Sequence, residues 1–262
     1  MTRTAASMLG YSLLSALMGM GVIGWQVAHY AGAGAAQPEL LFLAALALFH
    51  FIYAIWFWKG RELLPFARAS VWGRLLMAGC YLGAALLWRH GDLPTPVFAG
   101  FFLSYLTVQG AIDLLSALLT ALTLPANQHE PLASLPPLHA EGRNRALFAA
   151  YMTMLGIWIL LDWQGFGRFF HLPASALPAS PWLPGPLQLL GAQIVLLAGY
   201  NAVAVRQRLQ PLIEAGIRGG LFTCVFMLAL VLLHLLHPLV LLLPAADLIS
   251  VGWMLLARLL KT

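Results

Sequence analysis

The sequence carries very little charge. Only 9% of its 262 residues are Asp, Glu, Lys or Arg, whereas 61% are hydrophobic, and the mean hydropathy is +0.84. So few charged side chains cannot give a chain of this length a water-compatible surface. The composition argues against a soluble enzyme, a nucleic-acid-binding protein and a disordered scaffold, and it predicts an all-α, polytopic membrane protein.

Cysteines and familiar catalytic motifs are also scarce. Cys80 and Cys224 both lie inside apolar runs, so there is no disulfide framework and no CxxC pair for a metal or redox site. The chain contains no P-loop, no GxSxG, no HExxH and no DxxD pair on a helix. Hydrolases, ATPases, zinc proteases and aspartate-rich prenyltransferases therefore lack their usual sequence support.

Long apolar runs fill most of the chain instead. A membrane-crossing helix needs about 20 mostly apolar residues. Proline, glycine or charged residues separate the runs. Eight segments meet or approach the required length and predict eight transmembrane helices: 9–31, 39–58, 71–89, 96–124, 146–163, 186–205, 219–236 and 238–258.

The basic residues predict the orientation of these segments. If the N-terminus lies in the cytoplasm, twelve of the fourteen Lys and Arg residues fall on that side, and only Arg89 and Arg168 fall on the other. This asymmetry follows the positive-inside rule and predicts a cytoplasmic (inner) membrane protein with both termini in the cytoplasm. Because the basic residues form short clusters between spans, the expected partners are membrane lipids and not nucleic acid. The alternative for residues 1–36 is a signal peptide, although Gln26 and His29 interrupt its apolar run.

The two halves of the chain resemble each other. Asp113 begins the run DLLSA and Asp247 the run DLISV, each eleven residues before a predicted cytoplasmic helix end. Tyr53 and Tyr200 also match, each followed by two basic residues. We predict two parallel four-helix repeats, 1–124 and 145–262, joined by a proline-rich cytoplasmic linker, 125–144. Chance similarity between Leu- and Ala-rich helices is the alternative.

The matched aspartates are the strongest candidates for chemistry. A rise of about 1.5 Å per residue places Asp113 and Asp247 near the middle of the bilayer. Ionisable side chains are costly there and are often functional. His50 and Tyr53 lie one turn apart at a similar depth, so we predict acid-base chemistry by Asp113, His50, Tyr53 and Asp247.

Neighbouring polar residues are candidate substrate-binding groups. Gln109 and Ser116 share a helix face with Asp113, and Tyr200 is followed by Asn201 on the sixth segment. The pocket is expected between the second, fourth, sixth and eighth segments. Alternatively, these polar groups only join helices by hydrogen bonds.

Histidines form a second, weaker pattern at the non-cytoplasmic boundary. His234 and His237 have the i, i+3 spacing that presents two imidazoles to copper, zinc or a haem edge, and His29 is a further candidate ligand. His90 and His171 lie in loops on the same side. No thiolate or carboxylate has diagnostic ligand spacing, so the sequence assigns no cofactor.

Three functions remain open. The leading hypothesis is an intramembrane pocket that binds or acts on a lipophilic small molecule of isoprenoid or quinone type. The alternatives are a redox subunit that binds haem, copper or quinol near the outer histidines, and a proton-coupled transporter or structural subunit. Whether the protein is an enzyme stays open. A homo-oligomer or a larger membrane complex is also possible, since Gly79 and Gly83 form a GxxxG pattern that allows close helix packing.

Overall fold

A computed structural model of the chain describes residues 1–30, 38–88, 96–125, 140–170, 184–232 and 238–259. The described residues are almost entirely helical and include no β-strand, which confirms the all-α class. Their helices are α1 (Arg3–Tyr30), α2 (Pro38–Gly60), α3 (Leu64–Leu87), α4 (Pro96–Thr123), α5 (Ala140–Leu161), α6 (Trp163–Phe169), α7 (Pro184–Arg206), α8 (Gln210–Leu232) and α9 (Leu242–Leu259), with a short 3-10 helix, Pro238–Leu241, before α9.

Within the described ranges, seven helices are long and apolar enough to cross a membrane: α1, α2, α3, α4, α5, α7 and α8. The chain is therefore a multi-pass membrane protein. The predicted eighth span corresponds to the 3-10 helix and α9, but its apolar part, Pro238–Trp253, is shorter than the others. Large apolar side chains such as Leu86, Leu122 and Leu161 are exposed, as expected for helices that face lipid.

Helices α3 and α8 begin earlier than their predicted starts at 71 and 219. Pro65 and Pro211 lie in the first turns, where the missing N–H of proline costs no helical hydrogen bond. As a result Arg218 belongs to a helix, whereas the sequence placed it between two segments, and Arg74 lies ten residues after the first residue of α3 instead of three. The turn between α7 and α8 is tight, and Arg208 has a left-handed backbone with a φ of 52°.

The middle of the chain also differs from expectation. Helix α5 begins at Ala140, so the last residues of the predicted linker 125–144 are helical, while residues 126–139 lie outside the described ranges. Helix α6 lies in the predicted loop 164–185. Asp162 caps α6, because its carboxylate accepts the Gly165 N–H at 2.9 Å.

The packing order is the same in both halves of the chain. α1 packs along α2, and α5 packs along α7; α3 packs against α4, and α8 packs against α9. α4 also contacts α1, and α9 contacts α5. Between the halves α2 contacts α8 and α3 contacts α7. Each half therefore places its second long helix against the other half.

Candidate functional site

Asp113 on α4 is buried in a hydrogen-bonded cluster. Its Oδ1 accepts a hydrogen bond from the Tyr11 hydroxyl of α1 at 2.6 Å and from the Gln109 amide at 3.1 Å. An aspartate at mid-helix in a bilayer costs about 2.5–3.5 kcal/mol on insertion scales. The two donors offset part of that cost, and the hydrogen bond from Tyr11 connects α1 with α4.

Arg74 of α3 brings a positive charge to the same cluster. Its Nε donates to the Ser70 carbonyl at 3.1 Å, and its Nη2 donates to the Thr120 hydroxyl of α4 at 2.9 Å. The guanidinium carbon lies 4.9 Å from the centre of the Tyr11 ring. No direct ion pair joins Arg74 to Asp113 in the described structure, but both line one small cavity, where the opposite charges stabilise each other.

His50 and Tyr53 of α2 line this cavity as well. The Nε2 of His50 is 2.7 Å from the Tyr105 hydroxyl, so its hydrogen bond goes to a tyrosine and not to Asp113. The Tyr53 hydroxyl donates to the backbone carbonyl of Gln193 on α7 at 3.2 Å. The Gln193 amide in turn donates to the Tyr81 hydroxyl. The cluster thus connects helices of both halves.

Of the other predicted binding residues, Tyr200 faces the polar cavity with a hydroxyl that has no described partner, whereas Ser116 and Asn201 bond to backbone carbonyls. Tyr200 of α7 lines the polar cavity, and its buried hydroxyl has no hydrogen-bond partner among the described residues. Ser116 donates to the Asp113 backbone carbonyl at 3.1 Å, and Asn201 donates to the Leu197 carbonyl at 2.8 Å. Ser116 and Asn201 therefore bond to their own helices.

The polar cavity is too small for a lipophilic molecule. Its volume is about 10 Å³. That volume corresponds to roughly one water molecule. Asp113, His50 and Tyr53 are therefore packed against each other and have no room for a substrate in this conformation.

A second cavity, of about 150 Å³, lies between α2 and helices of the second half. Its walls are largely aliphatic and aromatic. Of its described lining residues only Arg145 and Asp247 are charged. The apolar lining includes Ile52, Trp56, Phe148, Met152, Leu155, Ile159, Leu190, Leu197, Met227, Val240 and Leu243.

Arg145 of α5 is the most unusual residue of this apolar cavity. It is 3% exposed, and its Nε and Nη1 have no hydrogen-bond partner among the described residues. Its guanidinium lies over the Phe148 ring at 4.5 Å and against Gly216 of α8, where a Cβ atom would come within 2.8 Å of Nε. Buried arginine N–H groups without partners indicate a site where a ligand can supply the hydrogen-bond acceptors.

Asp247 of α9 is half-buried and faces Gly220 of α8, where a Cβ atom would lie 3.2 Å from Oδ1. Gly216, Gly219 and Gly220 all line the cavity. The absence of side chains at Gly216 and Gly220 leaves space for Arg145 and Asp247, respectively. Asp113 and Asp247 are not brought together: each lines its own cavity, unlike the single pocket expected from the sequence.

Sequence reasoning missed Tyr11, Arg74 and Arg145. The arginines were counted only as topology charges. Arg74 follows Pro65 by nine residues, so starting α3 at Pro65 would have placed this arginine well inside an apolar helix. Nothing local marks Tyr11 or Arg145, because their importance depends on which helices lie beside α1 and α5.

Of the predicted histidine ligands, the structure describes only His29. His29 is exposed, and its Nδ1 is 2.9 Å from the Trp25 carbonyl. His234 and His237, together with His90 and His171, lie outside the described residues. Within the described ranges no three His, Cys, Asp or Glu side chains come together as metal ligands.

Comparison of the chain with family models, with curated proteins and with solved structures gives no match.

Proposed function

We propose that the protein binds a lipophilic small molecule of isoprenoid or quinone type inside the bilayer, in the apolar cavity between α2 and the second-half helices. The cavity itself carries this proposal: about 150 Å³ of space with apolar walls and one pair of charged residues. Ligand sites commonly combine apolar walls with a few polar groups that fix the ligand's orientation. Arg145 and Asp247 are placed to take that role.

The Asp113 cluster has a different part in this proposal. The Asp113 Oδ1 already accepts two hydrogen bonds, and the cavity beside it holds no more than about a water molecule. We assign Asp113, His50 and Tyr53 to joining helices. Binding at the apolar cavity does not require acid-base chemistry by this cluster.

Filling the cavity tests the proposal. Gly219 of α8 lines the cavity, and the nearest atom to a Cβ there is the Ile52 Cγ2 at 4.0 Å. Gly219→Phe should therefore occupy the cavity without disturbing the backbone. Gly199→Phe is the matched control, because Gly199 of α7 is exposed and nothing lies within 4 Å of its Cβ position.

The probe is ethylbenzene. It is added to the protein, purified in detergent, whose methionine methyl groups carry a ¹³C label so that their NMR signals can be followed. Met152 and Met227 line the apolar cavity, and Met77 lines the polar one. We expect saturable shifts of the Met152 and Met227 methyl signals, none at Met77, loss of the shifts in Gly219→Phe and retention in Gly199→Phe. Absence of saturable shifts in the unchanged protein would refute the proposal.

We also propose eight membrane crossings arranged as two parallel four-helix repeats, with α9 and its preceding 3-10 helix as the eighth. The matching packing order of the halves supports this arrangement. So do corresponding glycines: Gly19 of α1 faces the His50 Cβ on α2, and Gly156 of α5 faces α7 at Val195.

The orientation proposed for these crossings is an inner-membrane protein with both termini in the cytoplasm. The Thr4 hydroxyl donates to the Thr123 carbonyl at 2.6 Å, so α1 begins beside the end of α4. Lys59 and Arg61 flank the turn from α2 to α3, and Arg206 and Arg208 flank the turn from α7 to α8. Basic residues at corresponding turns agree with a common cytoplasmic side.

A further inference from the structure

From the residues that line the apolar cavity we infer the class of ligand. It is an uncharged molecule with an apolar part the size of one ring. Its polar end has an oxygen that accepts a hydrogen bond and a hydroxyl that donates one, as in a phenol or a quinol. This inference rests on the proposed binding function and adds the chemistry of recognition. Arg145 supplies donors, and Asp247 supplies an acceptor.

The donors of Arg145 need an acceptor from outside the described chain. Two of its three nitrogens, Nε and Nη1, are buried without a hydrogen bond among the described residues. A guanidinium has only donors, and an ionised carboxylate has only acceptors. A hydroxyl group can accept from Arg145 and donate to Asp247 at the same time.

The pair of charges selects for a neutral ligand. Arg145 and Asp247 carry opposite charges, which sum to zero when both are ionised. An anionic ligand would add a second negative charge near Asp247, and a cationic ligand a second positive charge near Arg145. An uncompensated charge in an apolar interior is strongly unfavourable.

The volume of the apolar cavity limits the size of the apolar part of the ligand. A cavity of about 150 Å³ lined by Leu, Ile and Phe is known to bind benzene. The cavity here has that volume and similar walls. It therefore accommodates one six-membered ring with a short substituent.

Comparison of the two halves shows why the second one leaves more arginine donors free: Arg74 lacks a described partner only at Nη1, whereas Arg145 lacks one at both Nε and Nη1. Counted from Pro65 and Pro211, Ser70 and Arg74 of α3 correspond to Gly216 and Gly220 of α8. In the first half the arginine on α3 donates to neighbouring groups, Ser70 among them. In the second half the equivalent helix has glycines at both positions.

The second-half arginine comes from a different helix. Arg145 precedes Gly156 of α5 by eleven residues, as Met8 precedes Gly19 of α1. Arg145 contacts Gly216, whereas Met8 contacts Ser70. The arginine has thus changed helix between the halves, and in its new place two of its donors have no partner in the described chain.

Other polar residues of the first half have apolar counterparts. His50, Gln109 and Tyr81 correspond to Leu197, Leu243 and Met227, which line the apolar cavity. The first-half cavity is packed with polar side chains, several of which bond to each other, although the Tyr200 hydroxyl and the Arg74 Nη1 have no partner among the described residues. The second-half cavity keeps one charged pair for a ligand.

Ethylbenzene and three of its para-substituted derivatives, 4-ethylphenol, 4-ethylanisole and 4-ethylbenzoate, test the inference with the methionine signals described above. Hydrogen bonds to charged groups predict that 4-ethylphenol binds at least about tenfold more tightly than ethylbenzene. 4-Ethylanisole, which accepts but cannot donate, should fall between them. 4-Ethylbenzoate should bind more weakly than 4-ethylphenol.

A neutral double substitution identifies the groups responsible. Arg145→Leu with Asp247→Leu removes both charges together, so no single buried charge is left behind. We expect the preference for 4-ethylphenol over ethylbenzene to fall to about one, while ethylbenzene still binds. Arg61→Gln with Glu62→Gln is the control, since it removes an ion pair of 3.6 Å away from the cavity residues and should leave the preference unchanged.

The outcomes separate this inference from the proposed function. Equal binding of ethylbenzene and 4-ethylphenol to the unchanged protein overturns the ligand class but leaves the lipophilic site intact. Tighter binding of 4-ethylbenzoate also overturns it, in favour of an anionic ligand. Failure of every probe to shift Met152 and Met227 refutes the proposed function itself. The comparison of probes on the unchanged protein decides the question even if the double variant does not fold.

Discussion

Asp113 and Asp247 have matching sequence positions but different surroundings. Asp113 accepts hydrogen bonds from Tyr11 and Gln109. No hydrogen bond from another described residue reaches the Asp247 side chain, which lies in the wall of the apolar cavity beside Gly220. One aspartate is therefore part of the packing, and the other is available to a ligand.

This difference predicts unequal effects on stability. Asp113→Leu leaves the Tyr11 hydroxyl and the Gln109 amide buried without their acceptor, which should lower the free energy of unfolding by about 2–4 kcal/mol. Asp113→Asn keeps an acceptor oxygen and should cost less than half as much. Unfolding in mixed micelles measures both.

Asp247→Leu combined with Arg145→Leu is the matched control for Asp113→Leu, because the double substitution leaves no single buried charge, and we expect it to change the free energy of unfolding by less than about 1 kcal/mol. A loss for this double variant equal to that for Asp113→Leu would contradict the assignment of Asp113 to packing.

At the residue scale, sequence depth and helical spacing predicted part of the polar cluster. The structure places Asp113, His50, Tyr53, Gln109 and Tyr200 around one cavity. The same reasoning could not place the aspartate of the second half, because matching sequence positions in the two halves do not by themselves bring Asp113 and Asp247 together.

At the scale of helices, glycines of α5 and α7 allow the two backbones to approach closely. A Cβ atom at Gly156 would lie 2.8 Å from the Gly191 carbonyl oxygen, and one at Gly191 would lie 3.0 Å from the Gly156 carbonyl oxygen. These backbones approach as closely as they do because neither residue has a side chain.

Gly156→Val should therefore separate α5 from α7 and lower the free energy of unfolding by about 1–3 kcal/mol. Gly83→Val is the control, because Gly83 of α3 has no atom within 4 Å of its Cβ position and the two substitutions have the same helix propensity. If both variants lose the same stability, close packing at Gly156 is not the cause.

The GxxxG pattern on α3 shows the limit of local motifs. Gly79 and Gly83 are spaced for close helix contact, yet nothing in the described structure lies within 4 Å of either Cβ position. Gly19 and Gly156 make such contacts without belonging to that pattern. A spacing rule identifies a small-residue face, but the position of the neighbouring helix decides whether that face is used.

At the scale of the whole molecule, the number of crossings determines where the C-terminus lies. The eight-crossing arrangement predicts that green fluorescent protein fused to the C-terminus fluoresces in a bacterial host, since it does so only in the cytoplasm. Alkaline phosphatase fused there should be inactive, because it requires the oxidising periplasm. The reverse pattern would refute eight crossings with both termini in the cytoplasm.

Composition and apolar run length were sufficient to predict an all-helical, multi-pass membrane protein, because both reflect the requirement that hydrocarbon imposes on every crossing. They did not predict where α3 and α8 begin, because the beginnings of these helices include charged residues as well as Pro65 and Pro211. They also gave no indication of the apolar cavity. That space exists because Gly216 and Gly220 of α8 meet Arg145 and Asp247 from other helices, and because Gly219 of α8 leaves room beside Ile52 of α2.

The contacts of α2 have a consequence for the history of such a chain. Ile52 and Trp56 of α2 form part of the wall of the second-half cavity, and Gln193 and Tyr200 of α7 complete the first-half cluster. Under the proposed two-repeat arrangement, a four-helix unit encoded alone would lack part of the wall of its own cavity and would need a second copy beside it. Joining two copies in one chain would then let each copy diverge, one toward hydrogen bonds between its own side chains and the other toward the proposed ligand.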